Sequence, residues 1–194
     1  MMIKIAIFAS GSGSNAQKIS EYFSDVKGVE VSLIVTNNPN AYVLERARQL
    51  NIPSNIFNRE SFYKTEDIVS ELKSKQIDFI VLAGFMWLVP KYLVEAFPNK
   101  IVNIHPALLP KFGGKGMYGD HVHKAVKEAG ESESGITIHY VNEAYDEGNI
   151  IFQAKCKVDE SDTPDSIAEK VHALEYEHYP KVIESVIQKS FKNE

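Results

Sequence analysis

Apolar positions follow two alternating patterns through the first half of the chain. Runs rich in Val, Ile, Leu and Phe at Ile3–Ala9, Val29–Val35, Phe79–Ala83 and Ile101–Ile104, with a weaker one near Ser54–Phe57, predict β-strands. Between them, apolar residues spaced for one helical face predict helices over Asn15–Phe23, Ala41–Leu50, Thr65–Lys75 and Pro90–Ala96. The run Ile80-Val81-Leu82-Ala83 has no polar position, so both faces of that strand must be covered. Such strands alternating with helices predict an α/β fold: an open, mostly parallel twisted sheet with helices on both faces, Rossmann-like in arrangement. Right-handed crossovers bring the C-terminal ends of the strands to one edge, where ligands of such sheets bind.

The second half follows another pattern. A Pro/Gly/Lys loop, Pro106–Gly119, leads into a helix near His121–Ala129. Gly135–Val141 alternates apolar and polar residues, and Ile150–Val158 follows a turn at Asp146-Glu147-Gly148-Asn149, which predicts antiparallel strands. A last helix begins at Thr163, with Pro164 at its first position and apolar residues at Ile167, Val171, Leu174, Val182, Ile183 and Val186. Pro180 is expected to kink or break it. No repeat or linker interrupts the chain, so one domain over residues 1–194 is expected.

Composition narrows the function classes. The chain has 194 residues, 44% of them hydrophobic, enough for one well-buried core. A net charge of −5 without a basic run argues against a nucleic-acid partner, yet leaves room for a small anion held by a helix N-terminus. No apolar run approaches the ~20 residues of a membrane span. The opening stretch Met1–Ala9 is short and passes at once into a Gly/Ser loop, as a buried first strand does and a signal peptide does not. One cysteine, Cys156, excludes an internal disulfide, and the absence of a Cys/His cluster argues against a metal site. These features fit the reducing cytoplasm.

Three segments carry candidate chemistry. Ser10-Gly11-Ser12-Gly13-Ser14-Asn15-Ala16 joins the first strand to the first helix, and its glycines let backbone N–H groups converge on an anion. The same residues satisfy the dinucleotide pattern G-x-G-x-x-A, but the second strand ends in Val35-Thr36-Asn37-Asn38-Pro39, without the acidic residue that holds a ribose. A phosphate cradle, a nicotinamide site and a turn with no ligand all remain open. In Ile101-Val102-Asn103-Ile104-His105-Pro106, Asn103 and His105 project from one face of a strand, and Pro106 is expected to end the ladder and expose them. An amide and an imidazole side by side can donate to a developing oxyanion, and a strand residue pair of this kind is also common structure. Asp146 reads by residue type as a turn former, with a carboxylate able to raise the pKa of a nearby histidine as the alternative.

Ser10–Asn15, Leu82-Ala83-Gly84-Phe85-Met86, Asn103-Ile104-His105-Pro106-Ala107-Leu108-Leu109-Pro110 and Asp146-Glu147-Gly148 resemble, in order and spacing, the folate-dependent formyltransferases. The loop G-S-G-S-N and the short single domain are similar to the phosphoribosylglycinamide formyltransferase branch. The resemblance implies a phosphate-binding half up to about residue 100 and a catalytic, folate-binding half after it. It implies Asn103, His105 and Asp146 as catalytic, Gly13, Ser14 and Asn15 as the phosphate grip, and Glu175 as a ribotide contact. It implies Met86, Trp87, Leu88, Val89, Asn142, Glu143, Ala144, Tyr145 and Asp146 as folate-pocket walls, with Arg59 as a folate contact. Without it, Met86–Val89 reads as core, and Arg59 and Glu175 as solvated surface. It also implies 10-formyltetrahydrofolate as co-substrate, no metal, no membrane or nucleic-acid partner, and a monomer or weak homodimer. Two departures stand out. Trp87 follows the methionine of the folate loop where many members carry a basic residue, and Gly113–Gly119 is longer than the usual turn.

Overall fold

A computed structural model describes residues 2–191. Its strands are the apolar runs. β1 (Ile3–Phe8) is fully buried from Ile5 to Phe8, β4 (Phe79–Leu82) along its whole length. β1 pairs in parallel with β2 (Val29–Thr36) on one side and with β4 on the other, and β2 pairs in parallel with β3 (Ser54–Ile56). With β5 (Ile101–His105), β6 (Glu133–Tyr140) and β7 (Ile150–Lys157), the seven-stranded sheet has the order β3-β2-β1-β4-β5-β6-β7. Residue contacts cluster into two compact units, one ending at Val102 and the other starting at Asn103.

In the first unit the helices take up the amphipathic stretches. α1 (Ser14–Ser24) buries Ala16, Ile19, Ser20 and Phe23, one helical stripe, and the Ser20 hydroxyl is satisfied by donating to the Ala16 carbonyl at 2.7 Å. α2 (Val43–Gln49) buries Val43 and Ala47. α4 (Asp67–Ser74) buries Ile68, Val69 and Leu72, and α5 (Lys91–Ala96) starts after Pro90. One helix, α3 (Arg59–Tyr63), is absent from the sequence pattern because it buries a single residue, Phe62. Its start is local chemistry: the Asn58 side chain accepts the Ser61 N–H at 2.9 Å as an N-cap. The chain adds β2 and β3 on one side of β1 and then crosses to β4 on the other. The loops leaving β1 and β4 thus start where the strand order reverses, the place at which open sheets of this kind bind ligands.

In the second unit β6 and β7 pair antiparallel with Thr137 opposite Gln153, and the register shifts between Ile138 and His139. The alternation along β6 does not mark a wet face: Ser134 to His139 are all buried. α6 (Asp120–Glu128) precedes β6, and α7 (Pro164–Phe191) closes the described chain. The break expected at Pro180 does not occur, for α7 runs through it as one helix of 28 residues. Pro180 is itself buried, so packing of its ring sets tertiary contact against the missing backbone donor. Ile167, Val171, Glu175, Tyr179, Ile183 and Ile187, four residues apart throughout, form the buried ridge, whereas Leu174 and Val182, expected inside, are half-buried. No described helix is long and apolar enough to cross a membrane.

Ile7, fully buried at the centre of β1 between β2 and β4, tests this arrangement. Ile7→Ala removes buried methyl groups and is expected to lower stability by about 3 kcal/mol, read as a reduced denaturant midpoint at unchanged slope.

Candidate active site

The glycine loop after β1 is bonded to the loop that follows β4. Ser10 donates its N–H to the Gly84 carbonyl at 3.0 Å, and its hydroxyl accepts the Met86 N–H at 2.9 Å, tying the loop to the one that follows β4. Gly13 caps α1 in the left-handed region at φ 73°, and a Cβ there would fall 2.9 Å from the Val43 Cα and closer still to its side chain. No side chain caps α1 and no acidic residue occupies its first turn, so its N-terminal N–H groups and dipole favour an anion. Val89 is buried, Met86 is 51% exposed, and Trp87 and Leu88 lie between, so only part of this loop is core. Trp87 packs in an aromatic cluster with Phe62, Tyr63 and Phe85, at centroid distances of 5.3, 5.8 and 6.3 Å. Arg59, exposed at the first position of α3, lays its guanidinium over the Tyr63 ring at 5.3 Å.

In the second unit, Asn103, His105 and Asp146 meet. His105 Nδ1 lies 3.4 Å from Asp146 Oδ2, and Asn103 Nδ2 lies 3.5 Å from Asp146 Oδ1. The pair on β5 is not exposed as Pro106 suggested, since His105 is 3% exposed. Asp146 sits at φ 57°, a left-handed turn conformation that Asp tolerates, and Oδ2 accepts the Gly114 N–H at 3.0 Å. His105 Nε2 lies 2.7 Å from the Phe112 carbonyl, so that nitrogen carries a hydrogen and donates it.

A fourth side chain belongs to this group and escaped the sequence reading. His139, on β6, donates from Nδ1 to the Tyr140 carbonyl at 2.8 Å, which in the neutral ring leaves Nε2 an acceptor. Asn103 Nδ2 lies 3.2 Å from that Nε2, so one amide hydrogen is fixed on His139. The other makes only the 3.5 Å approach to Asp146 and can turn to a new acceptor. Gly148 supports the arrangement, because a Cβ there would collide with the Tyr140 carbonyl and lie 3.3 Å from His139 Nδ1. Thr137, two residues before His139, locks the string after His105. Its hydroxyl donates to the Ala107 carbonyl at 2.7 Å and accepts from the Leu109 N–H at 3.0 Å and from Gln153 Nε2 at 2.8 Å. Thr137-x-His139 has the same two-residue spacing that drew attention to Asn103 and His105, and that was the signal available.

Burial dominates the His105 imidazole and lowers its pKa below the ordinary 6.5, with His139 adding to the effect and Asp146 and the Phe112 carbonyl opposing it. Burial alone would raise the Asp146 carboxyl, but the His139 and His105 rings and the Gly114 N–H outweigh it, and its pKa is lowered. Asp146 and the Phe112 carbonyl thus give the ring two oxygens that would stabilise an added proton, against a burial that resists it. His123, on α6, is 2% exposed, its Nδ1 has no hydrogen-bond partner among the described residues, and burial followed by the nearby His172 lowers its pKa as well.

Glu175, read without the resemblance as solvated surface, is 6% exposed on the inner ridge of α7, one turn from the fully buried Tyr179. Asn142 folds its side chain onto the Ala144 N–H at 3.0 Å. Asn142 and Glu143 are exposed, and Ala144 and Tyr145 half-buried, where the chain turns into Asp146. Among the described residues no group of three or more His, Cys, Asp or Glu side chains is arranged to hold a metal ion.

The formyl transferase family profile matches residues 3–183. The chain is 44% identical to the chloroplastic phosphoribosylglycinamide formyltransferase of Arabidopsis thaliana, over 97% of this chain and 67% of that one. It is 38% identical to the phosphoribosylglycinamide formyltransferase of Bacillus subtilis, over 96% and 95%. The solved phosphoribosylglycinamide formyltransferase of Bacillus halodurans superposes with a TM-score of 0.86 at 38% identity, covering 96% of each chain.

The depressed histidines give stability a direction with pH. Unfolded, His105 and His123 take a proton near 6.5; folded, they resist it to lower pH, so acid favours the unfolded chain in that interval. The melting temperature is expected to fall as pH drops from about 7.5 to about 5.5, and to fall less in His105→Gln. A rise on acidification, or an equal fall in the variant, contradicts the assignment.

Proposed function

Because the chain belongs to the formyl transferase family, we propose that it transfers the formyl group of 10-formyltetrahydrofolate to the amine of 5′-phosphoribosylglycinamide, yielding formylglycinamide ribotide and tetrahydrofolate in purine synthesis. The observation that supports this chemistry best is the meeting of Asn103, His105 and Asp146 within 3.5 Å in a nearly dry setting.

The neutral substrate amine attacks the formyl carbon, forming a C–N bond and leaving an oxyanion. The loosely engaged Asn103 N–H donates to that oxygen. His105, neutral in the free protein by its lowered pKa, gains proton affinity as negative charge develops beside it. It takes the proton released by the attacking nitrogen and, as imidazolium, stabilises the oxyanion. Asp146 stabilises the imidazolium and orients the ring. Return of the proton to N10 lets the C–N10 bond break as the carbonyl reforms. The folate supplies the activated carbon, so the chain needs only to position and to move a proton.

In this reading Gly13, Ser14 and Asn15 take the ribotide phosphate and Glu175 contacts the ribotide. Arg59, Met86–Val89 and Asn142–Tyr145 take the folate. The partners are small molecules, and the chain acts as a monomer or weak homodimer in the cytoplasm.

Mixing the protein with both substrates and following tetrahydrofolate release by absorbance tests the reaction; no turnover means the reading is wrong. His105→Ala and Asp146→Asn are each expected to lower kcat at least ~100-fold with the fold intact by circular dichroism. A near-normal rate removes that residue from the mechanism. His139→Phe, which frees the Asn103 amide to rotate, is expected to lower kcat about tenfold with little change in either KM.

A further inference from the structure

A loop that receives an anion must turn its N–H groups toward the ligand and its carbonyls away, since a carbonyl oxygen aimed at a phosphate repels it. In Ser10–Gly13 every carbonyl has a donor drawing it back into the protein. Ser10 O accepts from Asn38 Nδ2 at 3.4 Å, Gly11 O from the Val43 N–H at 3.1 Å, Ser12 O from Arg46 Nε at 2.8 Å, and Gly13 O from the Gln17 N–H at 2.9 Å. Meanwhile the N–H groups of Gly11, Ser12, Gly13 and Ser14 have no acceptor among the described residues. The loop is thus polarised, acceptors inward and donors outward.

Three of the four carbonyl partners are structural in kind: two backbone N–H groups and a neutral amide. Arg46 is different, because it brings a positive charge. It is half-buried on α2, with its guanidinium stacked on the Tyr42 ring at 5.0 Å and Nη1 bonded to Gln17 Oε1. The ring beneath, the Ser12 carbonyl and Gln17 fix its plane, and its Nη2 hydrogens have no acceptor among the described residues. Gln17 is in turn held by Glu21 Oε1 at 2.6 Å, so the guanidinium is anchored through α1 as well as α2. A solvated surface arginine would show one contact of this kind, not three converging on the outer residue of a glycine loop.

We propose that Arg46 is a positioning residue for the phosphate monoester of the substrate. It holds the Ser12 carbonyl away from the anion and places a fixed positive charge behind the open N–H groups. The proposal rests on the reading that Gly13–Asn15 receive the ribotide phosphate, and it assigns the electrostatics of that grip to a residue outside the loop. It also gives Asn38 a purpose at the end of β2. Where a nicotinamide enzyme needs an acid for the ribose, this chain has an amide that turns back the Ser10 carbonyl.

The test compares two ligands on the full chain by titration calorimetry: glycinamide ribotide, and the same nucleoside without its phosphate. Wild type is expected to bind the ribotide more tightly, and the ratio of the two Kd values measures the phosphate contribution. Arg46→Met is expected to weaken the ribotide about thirtyfold while changing the nucleoside no more than about twofold. Arg46→Lys keeps the charge but cannot bond the Ser12 carbonyl and Gln17 together, and is expected to recover only a minor part. If Arg46→Met keeps the wild-type ratio, or weakens both ligands equally, the inference is overturned while the phosphate-loop reading stands. Full recovery in Arg46→Lys overturns the carbonyl-holding role. If wild type binds both ligands equally, the phosphate-loop reading fails and takes this inference with it.

Discussion

A carboxylate whose side chain is only 10% exposed is stable when donors surround it, and Asp146 draws its donors from distant stretches of the second unit. The Gly114 N–H comes from the loop before α6 and the Asn103 amide from β5, while the His105 and His139 rings, on β5 and β6, stand 3.4 and 3.6 Å from its oxygens. Both rings are oriented in turn by a backbone carbonyl, Phe112 for His105 and Tyr140 for His139. The charge at 146 therefore organises segments that the hydrophobic effect alone would leave free to slide. It also explains why the chain tolerates a left-handed Asp there and needs a glycine at 148, where the backbone passes against the Tyr140 carbonyl.

The first unit carries the loop on which the proposed phosphate site rests, in a protein of net charge −5. What the geometry itself shows is a loop whose four carbonyls, from Ser10 to Gly13, are each held by a donor. Val43 has three tasks at one position. It fills the core, its N–H holds the Gly11 carbonyl, and its side chain leaves no room for a Cβ at 13. Loop conformation and α2 packing are consequently one property, and neither can be altered without the other.

Much of this was legible beforehand for a simple reason. Strands covered on both faces are apolar where they are covered, so Ile5–Phe8 of β1, Leu33–Val35 of β2, all of β4 and Ile101-Val102 of β5 announce themselves without homologous sequences. Patterns failed where a polar or imino residue sits inside by virtue of specific partners. Pro180 read as a kink or a break, yet α7 runs unbroken through it with the ring buried, and Glu175 read by pattern as surface, yet it occupies the ridge of that helix. Residue type states the average cost of burial, whereas these positions are decided by particular neighbours that only the folded chain assembles. α3 was invisible for the opposite reason, being a turn of helix set by an Asn58 cap with one apolar anchor. At the site, Asn103 and His105 stood out because a proline and a strand framed them, while the equally spaced Thr137 and His139 passed as ordinary alternation. Two residues on one face of a strand carry the same geometric information in both places, and the bond lengths separate role from pattern.

Trp87 has one further property that follows from counting. It is the sole tryptophan in the chain, and its indole leans on Tyr63, whose ring also bears the Arg59 guanidinium. Light absorbed at the red edge of the aromatic band is therefore emitted from a single known place, beside the loop that leaves β4. The protein carries its own fluorophore there, reporting on that neighbourhood without any label.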